Sequence, residues 1–315
     1  MTFSENVKNE LTRNECAWDC CARAELTVAL LLSGGVAFRG RGRYGLSLST
    51  ENSAVSRYYF GLIRHYFSVA CEIRTLKTSR LGEHMRYLLT FPEDSVDKIM
   101  DELLLKDENG LFGVRSAPAN EIYEKNCCRT AILKSAFLIS GSLSDPERGY
   151  DLSVTCGNEE IASAVCGVMN AFDLNAGISP RKAQYAVYLK NAENISEFLT
   201  RVGAHSAVLS LENTRIMKEL RNNVNRAANC DSNNIDRTVK TAQTQIEDII
   251  YIDEHLGLEK LPAPLQEIAR LRLTDPNASL VELGEMCSPP IGKSGVNNRL
   301  RRIAEICKKL KEGKP

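Results

Sequence analysis

A series of residues recurs along this chain at a nearly constant offset, and that recurrence limits the fold more than any other feature. Cys20-Cys21 returns 107 positions later as Cys127-Cys128. At the same offset Leu26 falls on Leu133, and Leu31-Leu32-Ser33-Gly34 falls on Leu138-Ile139-Ser140-Gly141. Tyr44-Gly-Leu-Ser-Leu-Ser-Thr is then matched by Tyr150-Asp-Leu-Ser-Val-Thr-Cys at an offset of 106, and Asn52, Val55 and Gly61 are matched by Asn158, Ile161 and Gly167. A single coincidence of this kind carries little weight. An ordered series of them means duplication.

Each copy reads as α-β-β-α-β-β-α. Residues 14–33 and 124–140 carry apolar side chains at helical spacing and end in a Ser-Gly step. Two β-rich stretches follow, then a helix (52–67 and 158–172), another strand pair (71–91 and 177–189) and a closing helix (95–105 and 195–202). In the first copy Arg39, Arg41 and Arg43 alternate with Phe38 and two glycines, which predicts three arginines on one face of a strand. Trp18 and the Tyr58-Tyr59-Phe60 cluster read as core.

A helix with a small-residue end, duplicated and followed each time by two strand pairs, resembles the LAGLIDADG homing-endonuclease fold. The counterpart segments are Leu26-Thr-Val-Ala-Leu-Leu-Leu-Ser-Gly34 and Leu133-Lys-Ser-Ala-Phe-Leu-Ile-Ser-Gly141. The resemblance implies two motif helices side by side and eight strands forming a DNA saddle. Catalysis in that family needs an acid at the penultimate position of each motif, because two carboxylates must share divalent metals beside the scissile phosphate. Here those positions hold Ser33 and Ser140, and a hydroxyl is a poor Mg²⁺ ligand. Cleavage by the family route is therefore excluded. A divergent nuclease would have to bring Asp145 or Glu25 to the old site.

The repeat ends near residues 203–211. Residues 211–252 read as long helices broken at an Asn-rich stretch, since six of the thirteen residues in Asn222–Asn234 are Asn, which disfavours helix interiors. Arg215, Lys218, Arg221 and Arg226 lie close to one helical face there. Further on, residues 264–274 form one helix, Asp275-Pro276-Asn277 breaks it, and Ser279-Leu-Val-Glu282 is a capping box opening a short second helix. After Ser288-Pro-Pro-Ile-Gly292, a third helix (293–310) buries Val296, Leu300, Ile303 and Cys307 at spacings of 4, 3 and 4. Ser294, Asn298 and Arg301 lie on its opposite face, flanked by Asn297 and Arg302. A short helix, a tight turn and a helix with an apolar back and a polar front make a helix-turn-helix.

Charge points the same way. The 315 residues hold 40 Lys+Arg and 40 Asp+Glu, yet residues 291–315 hold eight Lys/Arg against two Glu, a local charge of +6. Arg pairs bidentately with guanine and Asn with adenine, while Lys and Ser serve phosphates. Asn297, Asn298 and Arg301 are the candidates for base edges, and Lys293, Ser294, Arg299 and Arg302 for the DNA backbone. Arg39, Arg41, Arg43, Arg221 and Arg226 are candidates for secondary DNA contacts.

The longest apolar run, near residues 28–32, is far shorter than a membrane span, and the acidic N-terminus is unlike a signal peptide. Eleven cysteines without paired C-x-x-C knuckles read as reduced cytosolic thiols. Duplication about a pseudo-twofold axis would bring Cys20, Cys21, Cys127 and Cys128 together as four thiolates, the basis of an alternative reading as a metal- or ligand-sensing regulator. Successive side chains on a helix point ~100° apart, however, so these cysteines are expected to be buried small apolar groups, with no metal and no cofactor. His65, His84, His205 and His255 are scattered without metal spacing.

Together, the acid-free duplication, Arg221–Thr238 (RNNVNRAANCDSNNIDRT) and Gly292-Lys-Ser-Gly-Val-Asn-Asn-Arg-Leu-Arg-Arg302 resemble the bacterial WhiA family of sporulation and cell-division regulators. The resemblance runs from about residue 3 to residue 310. It implies a non-enzymatic, DNA-binding transcription factor acting on genes of division, chromosome segregation or developmental septation, in the cytoplasm at the nucleoid. It also implies double-stranded DNA as partner, joined in some relatives by a WhiB-type iron–sulfur protein or here by another copy of the chain. The expected architecture is α+β: a duplicated LAGLIDADG-like saddle over 1–205 (copies at about 14–105 and 121–203), a helical connector over 206–258, and an all-α helix-turn-helix domain over 259–315 (motif about 279–310).

Overall fold

The computed structural model describes residues 1–16, 18–40, 43–78, 84–106 and 117–312, of which 38–40, 43, 78, 84, 227, 230, 231, 233 and 235 are described by their backbone alone. The chain opens on a helix that lies outside the repeat, α1 (Phe3–Leu11). Its start is encoded in Thr2 and Glu5: Glu5 N donates to Thr2 Oγ1 at 3.2 Å and Thr2 N donates to the Glu5 carboxylate at 2.7 Å. This reciprocal cap satisfies two amides that a helix end leaves unpaired.

The first copy then runs α2 (Asp19–Ser33), β1 (Gly34–Gly40), β2 (Arg43–Thr50), α3 (Ser53–Phe67), β3 (Glu72–Thr78), β4 (His84–Thr90) and α4 (Val96–Glu102). The second runs α5 (Asn126–Ser140), β5 (Gly141–Leu143), β6 (Leu152–Cys156), α6 (Glu159–Asn170), β7 (Gly177–Arg181), β8 (Gln184–Leu189) and α7 (Ala192–Val202). This is the expected α-β-β-α-β-β-α order, twice. The sheets are antiparallel, with strand orders β1-β2-β4-β3 and β5-β6-β8-β7. On their inner faces buried pairs meet in register, Leu48 opposite Leu89 and Val154 opposite Val187.

The repeated residues have structural work. Asn52 and Asn158 are the N-caps of α3 and α6, where Asn52 Oδ1 accepts from the amides of Ala54 and Val55 and Asn158 Oδ1 from that of Ile161. Gly34 and Gly141 turn each motif helix into a strand so tightly that a Cβ would stand 2.2 Å from Leu30 O in one copy and 2.6 Å from Phe137 O in the other. Helices α2 and α5 pack against each other and are buried nearly all round, with Ala24, Leu26, Ala29, Leu133, Ala136 and Phe137 fully enclosed. Helices lacking a polar stripe belong in the middle of a core, and alanines let their backbones approach. Tyr59 is core as expected, but Trp18 is 67% exposed. It sits in extended backbone at the N-cap of α2, one residue short of the helix that would turn it inward.

The chain divides into two compact units, Met1–Lys218 and Glu219–Pro315. Helix α8 (His205–His255) is continuous for 51 residues through the Asn-rich stretch, where a break is expected. The second unit continues with α9 (Ala263–Thr274), α10 (Leu280–Glu285) and α11 (Lys293–Lys311) around a core of Ile249, Ile252, Ile268, Leu283, Val296, Leu300 and Ile303. Among the described residues no helix is long and apolar enough to cross a membrane.

Candidate nucleic-acid interface

Three features of sequence shape the end of the second unit. Ser279 Oγ accepts from Glu282 N at 3.3 Å while the Glu282 carboxylate accepts from Ser279 N at 2.7 Å, so the capping box forms as read. In the turn, Ile291 N donates to Gly284 O at 2.9 Å, and a Cβ at 284 would meet Ile291 O at 2.2 Å. The apolar ridge Val296, Leu300, Ile303 and Cys307 then faces inward, each residue no more than 3% exposed.

That ridge fixes what α11 turns outward. Lys293, Ser294, Asn297, Asn298, Arg301 and Arg302 are all exposed. Arg301 pairs with Glu305 at 3.6 Å one turn on, with both side chains mostly in solvent, a contact worth little. Arg299 departs from its expected phosphate role. It faces α9, where Nη1 donates to Glu267 Oε2 at 3.0 Å and to Pro264 O at 3.3 Å. Glu267 Oε1 also accepts from Ser288 N at 2.7 Å, so one carboxylate braces both the turn and α11. Arg272 is buried and donates to Ala278 O at 2.6 Å and Pro276 O at 3.3 Å, holding the α9–α10 turn. Neither Glu267 nor Arg272 is conspicuous in sequence, because each acts on residues brought close only by folding.

The other candidate cations divide. On α8, Arg221 and Arg226 are exposed, whereas Arg215 pairs with Glu193 at 2.8 Å and Lys218 Nζ donates to Pro146 O at 2.6 Å. Arg41 lies outside the described residues, and Arg39 and Arg43 are described only as backbone of β1 and β2.

At the C-terminal ends of α2 and α5, Ser33 and Ser140 line an open cleft of about 540 Å³ together with Glu5, Lys8, Glu51, Asn52 and Arg86. Ser33 Oγ donates to Ser49 O at 2.7 Å and Ser140 Oγ to Ala136 O at 3.4 Å. The cleft's carboxylates are occupied too: Glu5 caps α1, and Glu51 pairs with Arg86 at 3.4 Å. Burial pushes the Lys8 ammonium down to about 8 against the opposing pull of Glu51 and Glu5. The acids a divergent nuclease would need lie elsewhere. Glu25 is enclosed between the helices, accepting from Tyr58 Oη at 2.6 Å and facing Lys134 Nζ at 3.4 Å. Its burial raises the carboxyl above its usual range, with Lys134 opposing. Asp145 is exposed in a turn, capping Glu147 N at 2.9 Å.

Cys20, Cys21, Cys127 and Cys128 do not diverge as expected from their helical angles. Their four sulfur atoms lie within 4.8 Å of one another at the paired starts of α2 and α5, because each helix aims its sulfurs at the seam with the other.

Three family models match successive stretches of the chain: the WhiA N-terminal LAGLIDADG-like domain over residues 19–106, the WhiA LAGLIDADG-like domain over 129–221 and the WhiA C-terminal HTH domain over 224–307. The chain is 40% identical over 308 residues to the probable cell division protein WhiA of Alkaliphilus metalliredigens, covering 97% of each. It is 41% identical over 314 residues to the protein of the same name from Brevibacillus brevis, covering 99% of this chain and 98% of that one. The crystal structure of full-length DUF199/WhiA from Thermatoga maritima superimposes with a TM-score of 0.60 at 24% identity, covering 98% of this chain and 99% of that one, a likeness of fold.

Proposed function

Because the chain belongs to the WhiA family, whose relatives are named probable cell division proteins, we propose that it is a sequence-specific regulator of transcription that reads double-stranded DNA with α11. The observation that carries this reading is the outward face of that helix. Asn297, Asn298 and Arg301 stand in solvent where a major groove admits a helix, backed by a buried ridge that fixes their register. Lys293, Ser294 and Arg302 flank them as phosphate partners, near amides at the helix start that favour an anion.

The LAGLIDADG-like unit acts in this reading without catalysis. Ser33 and Ser140 replace the carboxylates that metal-assisted cleavage requires, and the neighbouring acids are held by Thr2 and Arg86. Regulated genes of cell division, chromosome segregation or sporulation, residence at the nucleoid, and a second copy or a WhiB-type protein as partner belong to the same proposal. So does the division into a saddle over 1–205, a connector over 206–258 and a reading domain over 259–315.

The test is a selection of genomic fragments by full-length protein beside an Asn298→Ala/Arg301→Ala variant, at about 150 mM salt to suppress backbone-only binding. A short recurring motif, lost in the variant, is expected. Equal enrichment by both proteins without a motif would remove α11 as the reader.

A further inference from the structure

The four cysteines at the starts of the motif helices stand in equivalent places. Cys20 and Cys21 are the second and third residues of α2, and Cys127 and Cys128 are the second and third of α5. All four sulfurs lie within 4.8 Å of one another, and Cys127 Sγ is 3.9 Å from Cys128 Sγ. Four thiolates bound to one ion at about 2.3 Å in a tetrahedron are separated by about 3.8 Å. The observed spacing therefore needs a contraction of under about an ångström at its widest. A cluster of several irons would need the sulfurs spread wider, and a disulfide would need two of them at about 2 Å.

The surroundings suit thiolates. Neither α2 nor α5 has a side-chain cap, unlike α3, α6 and α7, so both helices direct uncapped first-turn amides toward this end. Two helix N-termini favour negative sulfur. Cys21 and Cys128 are buried, Cys20 is half-buried and Cys127 is exposed, which leaves a side for an ion to enter.

We propose that Cys20, Cys21, Cys127 and Cys128 form a four-thiolate site for one thiophilic divalent cation of the Zn²⁺ class, which staples the starts of α2 and α5 across the pseudo-twofold axis. Soft sulfur ligands select such ions over Mg²⁺ or Ca²⁺, and a closed set of four leaves no open position for catalysis. As each sulfur–metal bond forms, the thiol proton passes to solvent, so loading releases protons and leaves a site of charge −2 facing the two helix dipoles.

Full-length protein, purified under reducing conditions and stripped with a chelator, is titrated with Co²⁺ and separately with Zn²⁺. Trp18, the chain's single tryptophan, lies two residues from Cys20 and serves as a reporter. The expected results are about one ion per chain, the intense visible bands of tetrahedral thiolate-bound cobalt, quenching of Trp18, and about four thiols hidden from a thiol reagent until chelator is added. Because Cys127 is exposed, Cys127→Ser tests the site without disturbing the core. Its cobalt bands shift and its affinity falls tenfold or more, while Cys166→Ser leaves both unchanged. The proposal is overturned if folded wild type binds no more cobalt than folded Cys20→Ser/Cys127→Ser, if the bands report oxygen or nitrogen ligands, or if anaerobic protein carries an iron–sulfur chromophore.

Discussion

Arg299 and Arg301 are two residues apart on α11 and face opposite ways, so the proposed reading assigns bracing to one and recognition to the other. Arg301 is exposed and pairs with exposed Glu305, so Arg301→Ala is expected to leave the fold intact, cost about 1–3 kcal/mol in binding and relax specificity at one base pair. Arg299→Ala instead frees one side of Glu267 and lowers unfolding stability by roughly 1 kcal/mol, without changing the preferred sequence. Denaturation curves and a binding selection on both variants distinguish the two, and a changed motif for Arg299→Ala would contradict the assignment. Lys8 offers a titration. Below about 8 its ammonium is charged in both folded and unfolded chains, and the cost of burying it is fully present. Between there and its ordinary 10.5 the unfolded chain holds more protons, so stability rises with pH. Lys8→Met is therefore expected to be more stable than wild type by roughly 2 kcal/mol at pH 7, and the gap is expected to close as pH rises through that window. The comparison of variants is what matters, because burial raises thiols such as Cys156, which destabilise the fold in the same range. A gap constant from pH 7 to 10 would refute the linkage.

At the scale of elements, the helix-turn-helix depends on how closely α10 approaches the turn. Gly284→Ala places a methyl carbon 2.2 Å from Ile291 O, a backbone atom that cannot swing away. A loss of about 2–4 kcal/mol from the second unit is expected, with weaker binding to every DNA sequence, whereas Gly292→Ala, with open space around it, should cost far less. Equal melting of the two variants would show the contact to be dispensable. The sequence reveals elements like these where local chemistry and duplication agree. Asn52 and Asn158 recur because each caps a helix, and the Ser-Gly steps recur because a side chain at Gly34 or Gly141 would strike the preceding turn. Gly61 and Gly167 recur with no such constraint, an inheritance of the duplication itself. The unbroken α8 is hidden for an energetic reason. Each Asn costs less than about 1 kcal/mol in a helix already nucleated, and a break would have to nucleate again on both sides. Convergence of the four sulfurs is legible in the duplication, which sets Cys20-Cys21 and Cys127-Cys128 at equivalent helix starts; the ~100° between neighbours on one helix argues against it wrongly, because it says nothing about a second helix across a seam. Of the candidate site, the outward face of α11 was legible from its 4, 3, 4 ridge, but the inward turn of Arg299 depends on Glu267, 32 residues away in the chain.

For the whole molecule, 40 basic and 40 acidic side chains cancel while residues 291–315 keep a charge of +6, so positive charge is concentrated in the stretch of sequence that holds the proposed reading helix. Cations there divide by role. Lys308 lies two turns beyond Arg301, its ammonium 4.0 Å from Glu312 and largely in solvent. A lysine so placed neutralises phosphate and displaces a counterion without meeting a base edge. Lys308→Ala is accordingly expected to weaken selected and random DNA by the same factor and to reduce the slope of log affinity against log salt by about 1. Arg301→Ala acts on the selected sequence alone at fixed salt. Measuring both variants on both DNAs across a salt series separates charge from reading. Unequal weakening by Lys308→Ala would place that lysine in the groove and move the docked helix toward its C-terminal end. The same titration tests how many chains bind. One helix-turn-helix spans only a short half-site, so two chains on one DNA should give roughly twice the single-site slope and a motif repeated about 10 base pairs apart. A solitary motif with the single slope would mean that one chain binds alone and draws the rest of its specificity from another surface.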